Sequence, residues 1–133
     1  MSTRPILDDA SASPEAQALF DDIREKRETD YVNQFWRVLA HDPHRAKDLW
    51  ERLQKVMAPG HLDPLVKELI YVAVSATNSC SYCVHSHTAA AKKRGMTDDM
   101  HSELLAVIAL ANETNGLANA LQVPVDPCFD EAE

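Results

Sequence analysis

Two cysteines and two histidines lie within the eight-residue segment from Cys80 to His87. They follow a mostly apolar run, residues 69–76, and one acid, Glu68, stands directly before that run. Thiols three positions apart can cycle through a disulfide, and a nearby imidazole or carboxylate can move protons. The segment therefore makes Cys80 and Cys83 the candidate redox pair, with His87 and Glu68 as their candidate partners.

A helical wheel separates the two histidines of this segment. At about 100° per residue, with Cys80 at 0°, Cys83 falls near ~300° and His87 near ~340°, whereas His85 falls near ~140°. Cys83 and His87 are also four residues apart, which makes them neighbours on a helix surface. We expect His87 to serve the thiols and His85 to lie at the surface or at an interface.

The thiols are expected in the first turn of a helix that begins at or just before Cys80, with Asn78 or Ser79 as its N-cap. Unpaired N–H groups and the helix dipole stabilise a thiolate there, and this reasoning alone favours Cys80 as the low-pKa thiol. In a regular helix the Cβ atoms of Cys80 and Cys83 would be about 5–6 Å apart, whereas a disulfide needs about 3.5–4.5 Å. A tightened first turn could close that gap and give a reversible disulfide.

Other interpretations of the same residues remain open. Free cysteines are often inert core residues. A zinc site built on both thiols and His87 would need a fourth ligand, for which Glu68 and Cys128 are the candidates. Cys128 otherwise is an incidental thiol, and Glu68 fits a solvated first-turn acid as well as a buried, proton-handling one. Covalent haem attachment is excluded, because Val84 stands where Cys-X-X-Cys-His requires histidine.

Composition limits the class of protein. With 133 residues, 45 % of them apolar, 26 % charged and only 3 Gly, the chain fits one helix-rich globular domain. A net charge of −8 supplies no basic surplus for phosphate binding, so no nucleic-acid partner is expected. The longest apolar run is too short to span a membrane, and Asp8 and Asp9 do not fit a secretory signal. We expect a cytoplasmic protein, where a close cysteine pair is more often catalytic or metal-binding than structural.

Helical periodicity and helix-start signals predict an all-α single domain of about six helices. A capping side chain, in three cases followed by proline, opens four of them, at Ser13-Pro14, Asp42-Pro43, Asp63-Pro64 and Thr97. A helix of about three turns is expected from Tyr31, residues 1–12 are expected to be loosely ordered, and a bend or interruption is expected between Asn112 and Gly116. Trp36 and Trp50 are expected in the core, and the apolar helix after Glu68 is expected to be centrally buried.

Glu68, eleven intervening residues and then Cys80-X-X-Cys83-X-X-X-His87 resemble the pattern of the alkylhydroperoxidase D-like (AhpD-like) proteins of the carboxymuconolactone decarboxylase superfamily. The resemblance extends over residues 32–122, within an all-helical context. It implies an AhpD-like helical bundle that forms homo-oligomers, commonly trimers or hexamers. We therefore predict a core domain at 32–123, an N-terminal lead and helix at 1–31 that packs on the core or on a neighbour, and a tail at 124–133.

The implied activity is thiol-dependent reduction of hydroperoxides, in antioxidant defence and without a metal or organic cofactor. By position, Cys83 would attack the peroxide, Cys80 would resolve the sulfenic acid as a disulfide, and His87 and Glu68 would relay protons. A thioredoxin-like or lipoyl-type reductant is the implied partner. The best-known peroxidase members carry histidine directly before the second cysteine, where this chain has Tyr82.

Two alternative functions remain. One is a carboxymuconolactone decarboxylase-type lactone enzyme, which would use histidine and acid as proton movers and would not need the cysteine pair. The other is a non-enzymatic redox sensor or assembly module, whose thiols would oxidise once without turnover. Neither the natural substrate nor the reductant is encoded in a recognisable motif.

Overall fold

Six α-helices and a short 3₁₀ turn form the secondary structure of the computed structural model, which describes residues 1–129. In chain order they are α1 Pro14–Arg27, α2 Gln34–Leu39, α3 Pro43–Met57, α4 Pro64–Thr77, α5 Ser81–Lys93, α6 Asp98–Ala120 and the 3₁₀ turn Pro127–Phe129. No strand occurs in this part of the chain, which confirms the predicted all-α fold. Within it, no helix combines the length and the apolarity that crossing a membrane requires.

The four predicted capping residues do begin helices. The side chains of Ser13, Asp42, Asp63 and Thr97 each accept a backbone N–H from the first turn that follows. Each bond satisfies one of the N–H groups that a helix start leaves unpaired. The starts of α1, α3, α4 and α6 were therefore predicted correctly from local chemistry alone.

The chain divides into two compact units, Met1–Ala58 and Pro59–Glu133. We call them the first unit, with α1 to α3, and the second unit, with α4 to α6. The boundaries predicted at residues 31 and 123 stay predictions, and residues 130–133 of the predicted tail lie outside the described residues.

An apolar core holds the first unit together. Trp36 and Trp50 are both 2 % exposed and meet edge to face, with ring centroids 5.4 Å apart. The indole N–H of Trp50 donates to Asp22 at 2.7 Å, so its one polar group stays paired although the ring is buried. Phe20 and Ile23 of α1 complete this core without measurable exposure, and the prediction that both tryptophans pack in the core is confirmed.

Two expectations for the first unit are wrong. Residues 1–12 are not loose, because the Asp9 carboxylate binds Arg24 at 2.7 Å and Arg37 at 3.0 Å, and Ala12 is buried. The helix expected from Tyr31 begins only at Gln34 and has six residues. Arg24 Nε donates to the Asp30 carbonyl at 2.9 Å, and this contact takes the acceptor that an earlier helical turn would have used.

The second unit is built around the packing of α4 against α5, and α6 also contacts α4. Its buried side chains combine the apolar Val72, Ala91 and Met96 with the polar Glu68 and Ser75. The polar groups on α4 therefore face a helix neighbour. This arrangement places Glu68 where α5 can supply its partners.

The expected central burial of α4 is not found within the single chain. Val66, Ile70 and Val74, spaced four residues apart, are 41 %, 48 % and 54 % exposed. Helix α6 has no buried residue, and several of its large apolar side chains are more than half exposed. Apolarity around a helix predicts that it needs neighbours, but α5 and α6 cover only part of its circumference.

The expected interruption of the last helix is absent. Helix α6 continues through residues 112–116 as part of a 23-residue helix. The Thr114 hydroxyl donates to the Ala111 carbonyl at 3.2 Å, which keeps this polar side chain within the helical pattern. A single interior glycine, Gly116, costs only about 1 kcal/mol relative to alanine and does not by itself break a helix.

Candidate active site

Cys80 lies between α4 and α5, the two helices that carry the site. Its N–H donates to the Ser75 carbonyl at 2.9 Å, and the N–H of Ser79 donates to Ala76 at 3.2 Å. With Ser79 in the left-handed region at φ 57°, these two bonds form a Schellman motif that closes α4. The next helix starts at once, so the end of α4 fixes the place of the first thiol.

Cys80 itself is the N-cap of α5, which corrects the expectation of Asn78 or Ser79 in that role. The Cys80 Sγ accepts the backbone N–H of Cys83 at 3.3 Å. Asn78 instead ends α4, and Ser79 is committed to the left-handed turn that follows. A thiol in a capping position receives the N–H that stabilises negative charge on sulfur.

The two thiols are reduced and unequal. Both are free and partly buried. A hydrogen bond from the Cys83 thiol, together with the Cys83 backbone N–H, lowers the pKa of Cys80 from its ordinary value. The same hydrogen bond to Cys80, with burial and the neighbouring charge, raises the pKa of Cys83 to about 11. Of the two thiols, Cys80 is therefore the one that ionises first, and the proton that remains between them stays on Cys83.

Glu68 and His87 form a buried hydrogen-bonded pair. Glu68 Oε2 lies 2.8 Å from His87 Nδ1, and the two side chains are 6 % and 18 % exposed. In a neutral imidazole this contact requires the proton on Nδ1, because the ionised carboxylate only accepts. Nε2 is then the free acceptor of the ring, and the pair has the arrangement of an oriented general base.

Tyr71 lies at the centre of these groups, and sequence reasoning did not single it out. Its ring stacks on the imidazole of His87, with centroids 3.6 Å apart and planes inclined by 17°. Burial raises the pKa of Tyr71, and the charges of Cys83, Glu68 and Cys80 add to the effect. The phenol therefore stays protonated, and its ring face fixes the plane of the imidazole.

Arg94 was also missed, although the helical wheel held a signal for it. Its Nε lies 3.6 Å from Glu68 Oε1, and its side chain is 43 % exposed. At about 100° per residue it falls near ~320°, between Cys83 and His87. A basic residue in the last turn of a helix also suits the helix dipole, so its type alone does not indicate a contact with Glu68.

The structure brings the four predicted site residues into one neighbourhood around Tyr71. His85 is exposed, as the wheel predicted. Cys128 is exposed in the 3₁₀ turn. Among residues 1–129, no group of three or more His, Cys, Asp and Glu side chains is arranged to hold a metal ion.

The similarity to known proteins includes the segment that carries the candidate site. The model of the carboxymuconolactone decarboxylase family matches residues 44–126, which include Glu68, both thiols and His87. A crystal structure of the alkylhydroperoxidase AhpD core from Rhodospirillum rubrum ATCC 11170 is 55 % identical in sequence. The two folds superpose with a TM-score of 0.92 over 97 % of each chain.

Two curated relatives match over shorter stretches. Alkyl hydroperoxide reductase AhpD from Solibacter usitatus (strain Ellin6076) is 38 % identical over 73 residues, which are 55 % of this chain and 40 % of that protein. Uncharacterized protein 4 in cox locus from Paracoccus denitrificans is 36 % identical over 63 residues, 47 % of this chain and 57 % of that protein. The matches thus span about half the length of these relatives.

Proposed function

Because this chain belongs to the carboxymuconolactone decarboxylase family, as an AhpD-like member, and holds two unequal thiols beside a buried Glu68–His87 pair, we propose that it is a thiol-dependent peroxidase. The observation that carries the proposal is the 2.8 Å contact between Glu68 and His87, on the face of α5 that presents the thiols. The substrate is a hydroperoxide, and the role is antioxidant defence in the cytoplasm.

The raised pKa of Cys83 explains why the site needs a base. A thiol with a pKa of about 11 does not ionise at neutral pH, so Cys83 attacks only if its proton is removed. His87, one helical turn further along, takes that proton on Nε2 while Glu68 stabilises the charge on the ring. The same imidazolium then gives its proton to the leaving alkoxide.

The chemistry balances without a further cofactor. Cys83 sulfur bonds to one peroxide oxygen as the O–O bond breaks, which leaves Cys83 as a sulfenic acid and releases an alcohol. The Cys80 thiolate attacks that sulfur and expels hydroxide, which takes up a proton to become water. A dithiol reductant, thioredoxin-like or lipoyl-type, then reduces the Cys80–Cys83 disulfide by exchange.

A homo-oligomer is part of the proposal. Val66, Ile70 and Val74 on α4 and several large apolar side chains on α6 are exposed in the single chain, and clustered apolar side chains at a surface are typical of contact sites between proteins. We expect a trimer or hexamer by light scattering coupled to size exclusion. A monomer at working concentration would contradict this part of the proposal.

Peroxide consumption with a dithiol reductant tests the function. We expect Cys83→Ser and Cys80→Ser each to abolish turnover, and the matched control Cys128→Ser to retain it. Activity that survives both site substitutions would instead favour the lactone enzyme. Stoichiometric oxidation that no reductant reverses would favour a redox sensor.

A further inference from the structure

Arg94 lies beside the second oxygen of the buried Glu68 carboxylate. Its Nε lies 3.6 Å from Oε1 of Glu68, while Oε2 is 2.8 Å from His87 Nδ1. Each carboxylate oxygen therefore faces a different residue of the same helix, α5, or of its C-cap. With the Glu68 side chain 6 % exposed, little water is present to replace either partner.

The backbone at the end of α5 holds Arg94 in place. Gly95 is left-handed at φ 103°, its N–H donates to Lys92 at 3.1 Å, and the N–H of Met96 donates to Ala91 at 3.0 Å. These two bonds form a Schellman motif, and Met96 and Ala91 are both buried. Arg94 is thus the C-cap of a fixed helix end, and its side chain projects from the same face as His87, seven residues earlier.

We infer that Arg94 is a positioning residue for His87 and acts through Glu68, in the reaction proposed above, on which this inference rests. A guanidinium beside a buried carboxylate favours its ionised form. Its charge beside Oε1 also favours the carboxylate orientation in which Oε2 faces Nδ1 of His87. The imidazole is thereby kept with its proton on Nδ1, so that Nε2 remains available to receive the proton of Cys83.

The contribution of the Arg94 charge depends on the other titratable groups near Glu68. Tyr71 lies one turn further along α4 and faces Glu68 and the thiols, but as a neutral phenol. Helix α6, which also packs on α4, carries one imidazole and four acids: His101, Asp98, Asp99, Glu103 and Glu113. Helix α6 has neither lysine nor arginine, and α4 carries Lys67 directly before Glu68. Arg94 places a guanidinium within ion-pair distance of Glu68 Oε1.

The sign of the expected effect follows from charge alone. Removing a cation makes proton uptake by the Glu68–His87 pair easier, whichever member receives the proton. In Arg94→Met we expect His87 to take up its proton at a pH higher by about half a unit, since the 43 % exposed guanidinium is partly screened by water. Because neutral His87 is the base, the acidic limb of the peroxidase pH profile moves the same way, and kcat at neutral pH falls by at most about threefold, the largest change that half a pH unit produces in the neutral fraction.

The test combines a side-chain ¹⁵N NMR titration of His87 in the reduced protein with the pH dependence of peroxide consumption. Lys93→Met is the matched control, because it removes the same charge from an exposed neighbour at the same helix end. We expect Lys93→Met to behave like the wild type, and Arg94→Lys to restore the NMR midpoint because it keeps the charge. An unchanged His87 titration in Arg94→Met would overturn the inference, and so would an equal shift in Lys93→Met.

The two measurements also separate this inference from the proposed function. If the wild-type protein consumes no peroxide, the NMR arm still shows whether Arg94 controls His87. If peroxide is consumed and Arg94→Met changes neither measurement, the peroxidase stands and the role of Arg94 is refuted. Should Arg94→Met fail to fold, the charge-neutral Arg94→Gln takes its place in both arms.

Discussion

The two units of the chain use burial in opposite ways. In the first unit, the most buried side chains are apolar or aromatic, and polar contacts such as the one between Asp22 and the Trp50 indole lie at its edge. In the second unit, Glu68 is among the most buried side chains, while Ile70, two residues later on the same helix, is 48 % exposed.

This difference indicates a division of tasks. Burying Glu68 costs desolvation energy that a leucine would not, and the charged partners only offset it. Apolar residues of α4 that remain in water contribute little hydrophobic stabilisation to an isolated chain. Both features are explained if the second unit carries the reaction and the intermolecular contact, while the first supplies an ordinary core.

The largest expected difference is in stability, measured with one substitution made in each unit. Ile23→Ala, at a residue with no exposure in the first unit, should lower the free energy of unfolding by about 2–5 kcal/mol. Ile70→Ala, at 48 % exposure in the second unit, should cost less than about 1 kcal/mol per chain and instead weaken association. Urea unfolding and light scattering measure the two effects, and equal losses of stability would break the contrast.

A second matched pair compares the two carboxylates in catalysis. Glu68→Gln should lower the rate of peroxide consumption about 100-fold, because the amide cannot stabilise an imidazolium. Asp22→Asn, which makes the same change beside Trp50 in the first unit, should leave that rate unchanged. Steady-state kinetics measures both rates. A similar fall of the rate in both variants would show that the loss has a structural rather than a chemical cause.

The stacked tyrosine should have a smaller effect that depends on its ring. Tyr71→Phe keeps a flat face against His87 and should retain nearly full activity. Tyr71→Leu loses the stacking that fixes the imidazole plane, and we expect kcat to fall about tenfold, since loss of alignment costs less than loss of the base. If the phenylalanine variant is the weaker one, the hydroxyl rather than the ring face is what the site uses.

The last effect concerns the pH at which Cys83 ionises. Its pKa is raised to about 11 chiefly by the hydrogen bond to Cys80. In Cys80→Ser the sulfur partner of this hydrogen bond is gone, so the pKa of Cys83 should fall towards its ordinary value of 9.0 and its thiolate should appear at lower pH. Ultraviolet absorbance of the thiolate measures this change, and a pKa that stays near 11 would show burial to be the cause.

Local chemistry accounts for what could be predicted from the sequence. The caps at Ser13, Asp42, Asp63 and Thr97 began their helices because a short polar side chain satisfies N–H groups wherever it stands. The wheel separated His87 from His85 because both lie on one regular helix. Family resemblance, together with spacing, connected Glu68 to that helix.

What could not be predicted depends on which neighbours are present. Apolar periodicity predicted that α4 packs against neighbours. It did not predict that the stripe around Ile70 would be exposed to solvent in a single chain. The late start of α2 goes with a contact from α1, in which Arg24 donates to the Asp30 carbonyl, and local periodicity does not show such a contact. Arg94 could not be connected to Glu68 from the sequence, because only the packing of α5 on α4 brings the two side chains together.

Trapping the oxidised sulfur tests the central claim most directly. After one equivalent of hydroperoxide, a sulfenic-acid reagent and mass spectrometry should find the adduct on Cys83 in Cys80→Ser, and no adduct at Cys80 in Cys83→Ser. The wild-type protein should show a Cys80–Cys83 disulfide that a dithiol reverses. An adduct on Cys80 in Cys83→Ser and none on Cys83 in Cys80→Ser would reverse the assigned roles, and thiols left unoxidised in all three proteins would contradict the peroxidase itself.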